Sequence, residues 1–454
     1  MNERFTASRV PSSGIEVLFA TEERWQAWLD IESALALTQA DLEMIPREAA
    51  DAITAGCRIE RLDLGRIREG IARTSHPLMP LIVELSRVVG EPHGGWVHWG
   101  ATTQNITQTG DILILRKVHR VILGLLARIM TALANLAERS ADMVMAGRTH
   151  GQHAVPITFG LKVASWIDEI DRHISRMREL EPRLFVAIIG GAAGSFASLG
   201  DRAPEVQVGV AKRLRLAAMP VPSRSIVDHF AEFVCVLGLL GATCGKVARE
   251  IYILMKTEYG EVEEPVPEGT VGSSTMPQKR NPQLCQDILS MAVEIRALVP
   301  VALEAVQSEH EADHCPSIAF EAVTRSSILI GEALERIHLV IGGLRLNPQR
   351  MRSNLDLSGG MISGEAIMLE LGKTIGRQHA HDVVYQAAQA AASQNLSFPD
   401  RLAADHRVTA HLSQSAINAL LDPAGHTGLS AGIAHQQAEV ARRSASELDA
   451  HLQA

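Results

Sequence analysis

The chain has 454 residues, a hydrophobic fraction of 46%, a charged fraction of 21% and a formal net charge of −9. That length exceeds what one hydrophobic core usually supports, so two or three domains are expected, and the composition is that of a soluble globular protein. The acidic balance, with no Lys/Arg run and no aromatic-basic stripe, argues against a nucleic-acid partner, although a few local cations are enough to hold an anionic substrate.

Taken in chain order, the N-terminus MNERFTASRVPSSGIEVLFA lacks the basic-then-apolar layout of a signal peptide. No proline falls between Pro92 and Pro156, and within that window Val118, Val121, Ile122, Leu125, Leu126, Ile129, Leu133 and Leu136 recur at steps of three and four. This is the stripe of a long helix. The windows between Pro182 and Pro204, Pro222 and Pro265, and Pro316 and Pro348 leave room for further long helices. Residues 227–256, VDHFAEFVCVLGLLGATCGKVAREIYILMK, are apolar over most of a helical circumference, which predicts burial on several sides and packing against other subunits. The greasiest part of that segment reads as too short to span a bilayer, so no membrane partner is expected. With no run of alternating strands, no internal repeat and no low-complexity linker, the fold class is all-α. The five cysteines (Cys57, Cys235, Cys244, Cys285 and Cys315) are scattered and form no CxxC pair, as expected of reduced thiols in a cytoplasmic protein.

One stretch interrupts the helical scaffold. Residues 258–270, EYGEVEEPVPEGT, have the Gly, Pro and acid content of a mobile loop; GSSTMPQKRNP follows at 272–282, and order resumes at QLCQDILSMAVEIRALV. Catalytic groups concentrate on loops held by rigid elements. Gly272, Ser273 and Ser274 are able to turn backbone N–H groups toward an anion, while Lys279 adds a charge and Asn281 a side-chain amide. That set suits a carboxylate whose α-carbon is losing a proton, because the enediolate that forms needs donors already in place. A serine in the same field is a candidate base.

GSSTMPQKRNP resembles the fingerprint of the fumarase/aspartase superfamily. WGATTQNITQTGD (99–111) is similar to that superfamily's first region, and GRTHGQHAVPITFGLK (147–162) to its second, in the same order. GGAAGSFASLG (190–200), NLDLSGG (354–360) and LLDPAGHTGL (420–429) extend the likeness over nearly the whole chain. It looks most like the branch of 3-carboxy-cis,cis-muconate cycloisomerase, with adenylosuccinate lyase next.

The resemblance implies a three-part organisation: an N-terminal helical domain over 1–100, a central long-helix bundle over 101–345 carrying the catalytic loop 258–282, and a C-terminal helical domain over 346–454. It also implies a homotetramer with shared active sites, a polycarboxylate substrate, and neither metal nor organic cofactor. Ser273 matches the catalytic base, and Lys279 and Asn281 the groups that hold the substrate carboxylate. Thr102 and Thr103 match carboxylate-binding hydroxyls, with Gln104 and Asn105 beside them. Thr149 and His150 match the Thr-His pair of the lyases, in which the histidine is the general acid to the leaving group. Arg148, Gln152 and His76 complete the substrate-binding candidates.

Departures refine the expectation. The cycloisomerase branch has Arg-Thr-Trp where this chain has Arg148, Thr149 and His150, and a Gln-Arg-Asp-Arg run where it has Ile226, Val227, Asp228 and His229. Many lyases have a glutamate where this chain has Gln286. Two arginines of the adenylosuccinate lyase phosphate site are replaced by Ala312 and Glu321. The expected activity is therefore β-elimination or addition across a succinyl unit, releasing or adding to fumarate. C–N chemistry on an N-substituted aspartate is favoured, with an iminodisuccinate epimerase-like variant included, and muconate cycloisomerisation is the alternative. Two other motifs are weighed and set below this reading. HEADH at 310–314 satisfies the zinc-peptidase pattern, with Glu332 as a third ligand, but Pro316 biases the chain to leave a helix there. GLSAG at 428–432 matches a hydrolase elbow but lacks a preceding strand and reads as a helix start.

Overall fold

The structure, a computed structural model, describes the chain except residues 1–3, 5, 268, 271, 312, 313, 395 and 454. It is all-α in character, with 70% of residues helical. Helices α1 (Thr21–Asp41), α2 (Leu64–Thr74) and α3 (Met79–Val89) lead into α4 (Thr103–Arg139), whose 37 residues form the long axis. Its stripe is buried as expected: Val118, Ile122, Leu125, Leu126, Ile129, Leu133 and Leu136 all lie in the core. A Cβ at Gly110 would come within 2.5 Å of the Trp28 ring, so glycine lets α1 approach α4 closely.

After α4 the chain forms an antiparallel hairpin of β1 (Val144–Thr149) and β2 (Gln152–Thr158). This departs from the expectation of a chain without strand signals. His150 (φ 52) and Gly151 (φ 76) both adopt left-handed backbone, which a two-residue type I′ turn demands and which matches the twist of the flanking strands. Helix α5 (Phe159–Glu179) then packs along α4. A short parallel pair, β3 (Val186–Ala187) with β4 (Ala217–Ala218), follows.

The apolar segment becomes α6 (Asp228–Leu254), packed against α5, α7 (Gln283–Glu304) and α8 (Cys315–Gly343). Of its residues only Asp228, Leu239, Lys246 and Arg249 are exposed. Its all-round apolarity is thus met mostly inside one chain, which corrects the expectation that other subunits would cover it. Exposed apolar side chains remain at Leu239 and, on α7, at Val293, Val301 and Leu303. A second correction concerns length: α4 and α6 are both long and apolar enough to cross a membrane by length and composition, yet 67% of the relevant stretch of each is buried inside the molecule, as in a core helix.

Between α6 and α7, β5 (Val262–Glu263) pairs with β6 (Arg345–Leu346) and ties the foot of the 258–282 loop to the end of α8. Helices α9 (Gly364–Ile375) and α10 (Arg377–Gln394) share a small core of their own with Phe398, Leu402 and Ile417. The last helix, α11 (Ser430–Gln453), packs instead on α4 and α5, so one continuous core runs from Ile15 and Trp28 to Ala441 and Leu448. The buried alanines 434, 438, 441 and 445 give α11 a narrow face, which allows that close approach. All five cysteines are thiols.

Candidate active site

The fingerprint regions occupy three places. At the start of α4, His76 Nδ1 accepts from the backbone N–H groups of Leu78 (3.3 Å) and Met79 (3.0 Å). With that lone pair engaged, the ring proton sits on Nε2, 3.4 Å from Thr103 Oγ1. Thr102 and Thr103 are half-buried, and the Thr102 side chain forms a capping box with Asn105 at the start of α4. Their neighbours differ. Gln104 donates to the Arg224 carbonyl (2.9 Å) and to Gln108 (3.1 Å) and accepts from Arg224 Nε (2.6 Å). Asn105 is fully buried, and its Oδ1 accepts from the N–H groups of Thr102 (3.3 Å) and Gly191 (3.0 Å). These bonds tie both amides to the loops at 190–192 and 224, while Asn105 Nδ2 is buried with no hydrogen-bond partner among the described residues.

The hairpin presents His150 at its tip, exposed, with Thr149 and Gln152 exposed beside it. Arg148 behaves otherwise. Its guanidinium makes a forked pair with the fully buried Glu261 (2.6 and 3.0 Å) and lies 5.0 Å from the Tyr259 ring centroid. Glu261 also accepts from Asn354 Nδ2 (2.8 Å), so residues 148, 261 and 354 lock together three separate motifs. The Arg148–Glu261 pair anchors the hairpin to the foot of the 258–282 loop. Burial, and then the nearby Arg148, hold the His153 imidazole below its usual range.

In the third region Ser273 Oγ accepts from the backbone N–H groups of Thr275 (3.3 Å) and Met276 (3.2 Å). Two amide dipoles aimed at one hydroxyl oxygen favour its deprotonated form, as a base requires. Asn281 Nδ2 donates to the Gly272 carbonyl (2.6 Å), pinching the loop into a ring from 272 to 281. In this loop its amide acts as a clip. Lys279 is exposed on that ring.

Sequence reasoning missed the acids of the loop's foot. Glu261 and Glu264 stand in a Gly/Pro-rich acidic run that reads as solvated, yet both are fully buried. The available signal was Pro282: a helix opening after proline has no side-chain acceptor at its N-cap, so the first amides of α7 must be satisfied from elsewhere.

The competing motifs do not assemble. His310 and Glu311 lie in a turn and His314 precedes α8, so the two histidines share no helical face; Ala312 and Asp313 lie outside the described residues. Glu332 instead faces Arg336 (3.7 Å) and Arg4 (4.0 Å). Among the described residues no group of three or more His, Cys, Asp or Glu side chains is arranged to hold a metal ion. Ser430 of GLSAG is the first residue of α11, with a 3-10 turn over Pro423–His426 before it in place of a strand.

The family described as Lyase matches residues 9–297, and that described as Adenylosuccinate lyase C-terminus matches 360–436. N-acetyl-S-(2-succino)cysteine lyase of Dickeya dadantii is 35% identical to this chain, covering 91% of it and 91% of that protein. 3-Carboxy-cis,cis-muconate cycloisomerase of Pseudomonas aeruginosa is 37% identical, covering 91% of each. The crystal structure of 3-carboxy-cis,cis-muconate lactonizing enzyme from Pseudomonas putida matches with a TM-score of 0.88 at 33% identity, over 97% of this chain and 100% of that one.

Proposed function

The chain belongs to the fumarase/aspartase superfamily, with its lyase or cycloisomerase chemistry, and from that premise we propose a cofactor-independent β-elimination on a 2-substituted succinate. Ser273 takes a proton from the carbon next to the far carboxylate. The electron pair enters that carboxylate as an enediolate, held by Lys279 and by Thr102 and Thr103 of another copy. It then returns to form the double bond as the bond to the substituent breaks, and His150 protonates the departing atom. The products are fumarate and the protonated leaving group, so atoms and charge balance.

The observation that carries the reading is the hairpin tip. An imidazole held out on a left-handed turn, at the place where the cycloisomerase branch has tryptophan, is suited to donating a proton. An amine leaves carbon only when protonated, so this acid favours an N-substituted aspartate. The relative named N-acetyl-S-(2-succino)cysteine lyase supports a second reading, a succinyl thioether. A panel of N-substituted aspartates, S-succinyl thiols and 3-carboxymuconate, with fumarate release followed by its ultraviolet absorbance, tests both. Turnover of 3-carboxymuconate alone would replace elimination by cycloisomerisation.

We also propose that the active unit is a closed homotetramer, the arrangement supported by the exposed apolar residues of α7 and by the separation of the fingerprint regions along α4.

A further inference from the structure

The end of the Ser273 loop poses a problem of hydrogen bonds. Pro282 is the N-cap of α7 and offers no side-chain acceptor, so the opening amides of a 22-residue helix need partners from outside it. The Gln283 N–H bonds to the Asn281 carbonyl (2.9 Å), and that of Gln286 bonds to the Pro282 carbonyl (2.9 Å). The two between them, Leu284 and Cys285, go to the two oxygens of Glu264, at 2.9 and 3.0 Å. Burial raises the Glu264 carboxyl above its usual range, while both amides, the Cys285 thiol and then Arg9 nearby oppose that rise. A carboxylate at a helix N-terminus is favoured by the macrodipole as well.

Glu264 stands at the other foot of the same loop. It follows β5, which is fixed to β6, so one carboxylate closes the 265–282 segment onto itself and couples its entry to its exit. Ser273 rides on that segment. We propose that Glu264 is a positioning residue for the reaction: by clasping the first amides of α7 from the opposite foot, it sets the direction in which Ser273 meets the substrate. This rests on Ser273 being the base. A loop foot shifted by about 1 Å is enough to cost a rate factor of about 100 at a reacting atom.

The test must separate positioning from simple helix capping. In Glu264→Gln one oxygen becomes an NH2 facing an N–H, which opens half of the clasp. We expect kcat to fall about 100-fold with KM changed by less than about threefold. Pro282→Ser gives α7 its own N-cap, so the double variant Glu264→Gln/Pro282→Ser, measured against Pro282→Ser alone, is expected to regain thermal stability but not kcat. Recovery of kcat together with stability would reduce Glu264 to a capping residue, and a Gln variant within about twofold of the parental kcat would overturn the proposal outright. Should Glu264→Gln fail to fold, Glu264→Asp keeps the charge and shortens the reach by one methylene; a folded Asp variant with unaltered kcat overturns the proposal equally. Ser273→Ala is run in parallel: if it retains turnover, the base assignment falls, whatever Glu264 does.

Discussion

A methyl group at position 272 would overlap the carbonyl oxygen of Lys279, because the pinched ring brings these two backbone segments into contact. Gly272→Ala should therefore displace the ring and lower kcat about 100-fold while circular dichroism stays unchanged. Ser273→Ala is expected to lose at least ~100-fold through removal of the base, again without unfolding. Near-normal turnover would move that role to Ser274. For His150 the informative variant is asparagine, since Asn tolerates left-handed backbone and keeps the turn while removing the acid. His150→Asn should slow substrates with poor leaving groups more than those with good ones; equal losses would end its assignment as acid. At this scale the motif spacing picks out Ser273, His150 and Lys279 as the candidates that these variants test. It could not separate residues fixed by substrate from residues fixed by the fold. Gln104, Asn105, Arg148 and Asn281 sit in fingerprint positions, and each has at least one polar group held by a protein partner, while Asn105 Nδ2 and Arg148 Nε are buried without one among the described residues. Glu264 escaped because its two partners lie twenty residues away, past a proline.

Among the elements, the hairpin depends on one ion pair. Glu261 is fully buried, so Arg148→Met would leave an uncompensated carboxylate and should destabilise the fold by ~3–5 kcal/mol, measured by chemical denaturation. A second joint links α1, α4 and α8. Arg24 on α1 lies 3.9 Å from the ring centroid of Phe320 on α8 and 3.2 Å from Asp111 on α4, whose carboxyl is pushed up to about 7, burial outweighing the arginine. The folded chain therefore holds a proton that the unfolded chain releases near pH 4. Stability contributed by this site is full below pH 4 and declines as pH rises toward about 7. Melting temperatures of the parental protein and Asp111→Asn should diverge over that window, the parental protein losing ground as pH rises; parallel profiles would contradict this. The long helices were legible because proline-free windows and an apolar stripe persist over many turns. The hairpin was not: its signal is two six- or seven-residue runs around His-Gly, with Pro156 inside one of them.

At the scale of the molecule, α4 sets the constraint. Its 37 residues span about 55 Å, with Thr103 at one end and the hairpin following the other. Even a hairpin of six-residue strands laid straight back along the helix recovers only about 20 Å, so His150 stays roughly 35 Å from Thr103 within one chain. No single copy brings His76 and Thr103 to its own His150. On the proposed mechanism, a site that uses both groups draws on at least two copies. Thr103→Val and His150→Asn protomers, each of low activity alone, should regain turnover when denatured and refolded together, because some sites receive both intact groups. Random mixing leaves roughly a quarter of the sites intact when the two groups come from separate subunits of a closed oligomer. In the proposed tetramer the loop and the hairpin tip of one site come from different chains, so Ser273→Ala mixed with His150→Asn is expected to complement in the same way. Correctly assembled mixtures that stay inactive in both pairings would defeat the shared site. A monomeric parental protein with full activity would defeat it sooner, since it would require the two ends of α4 to meet.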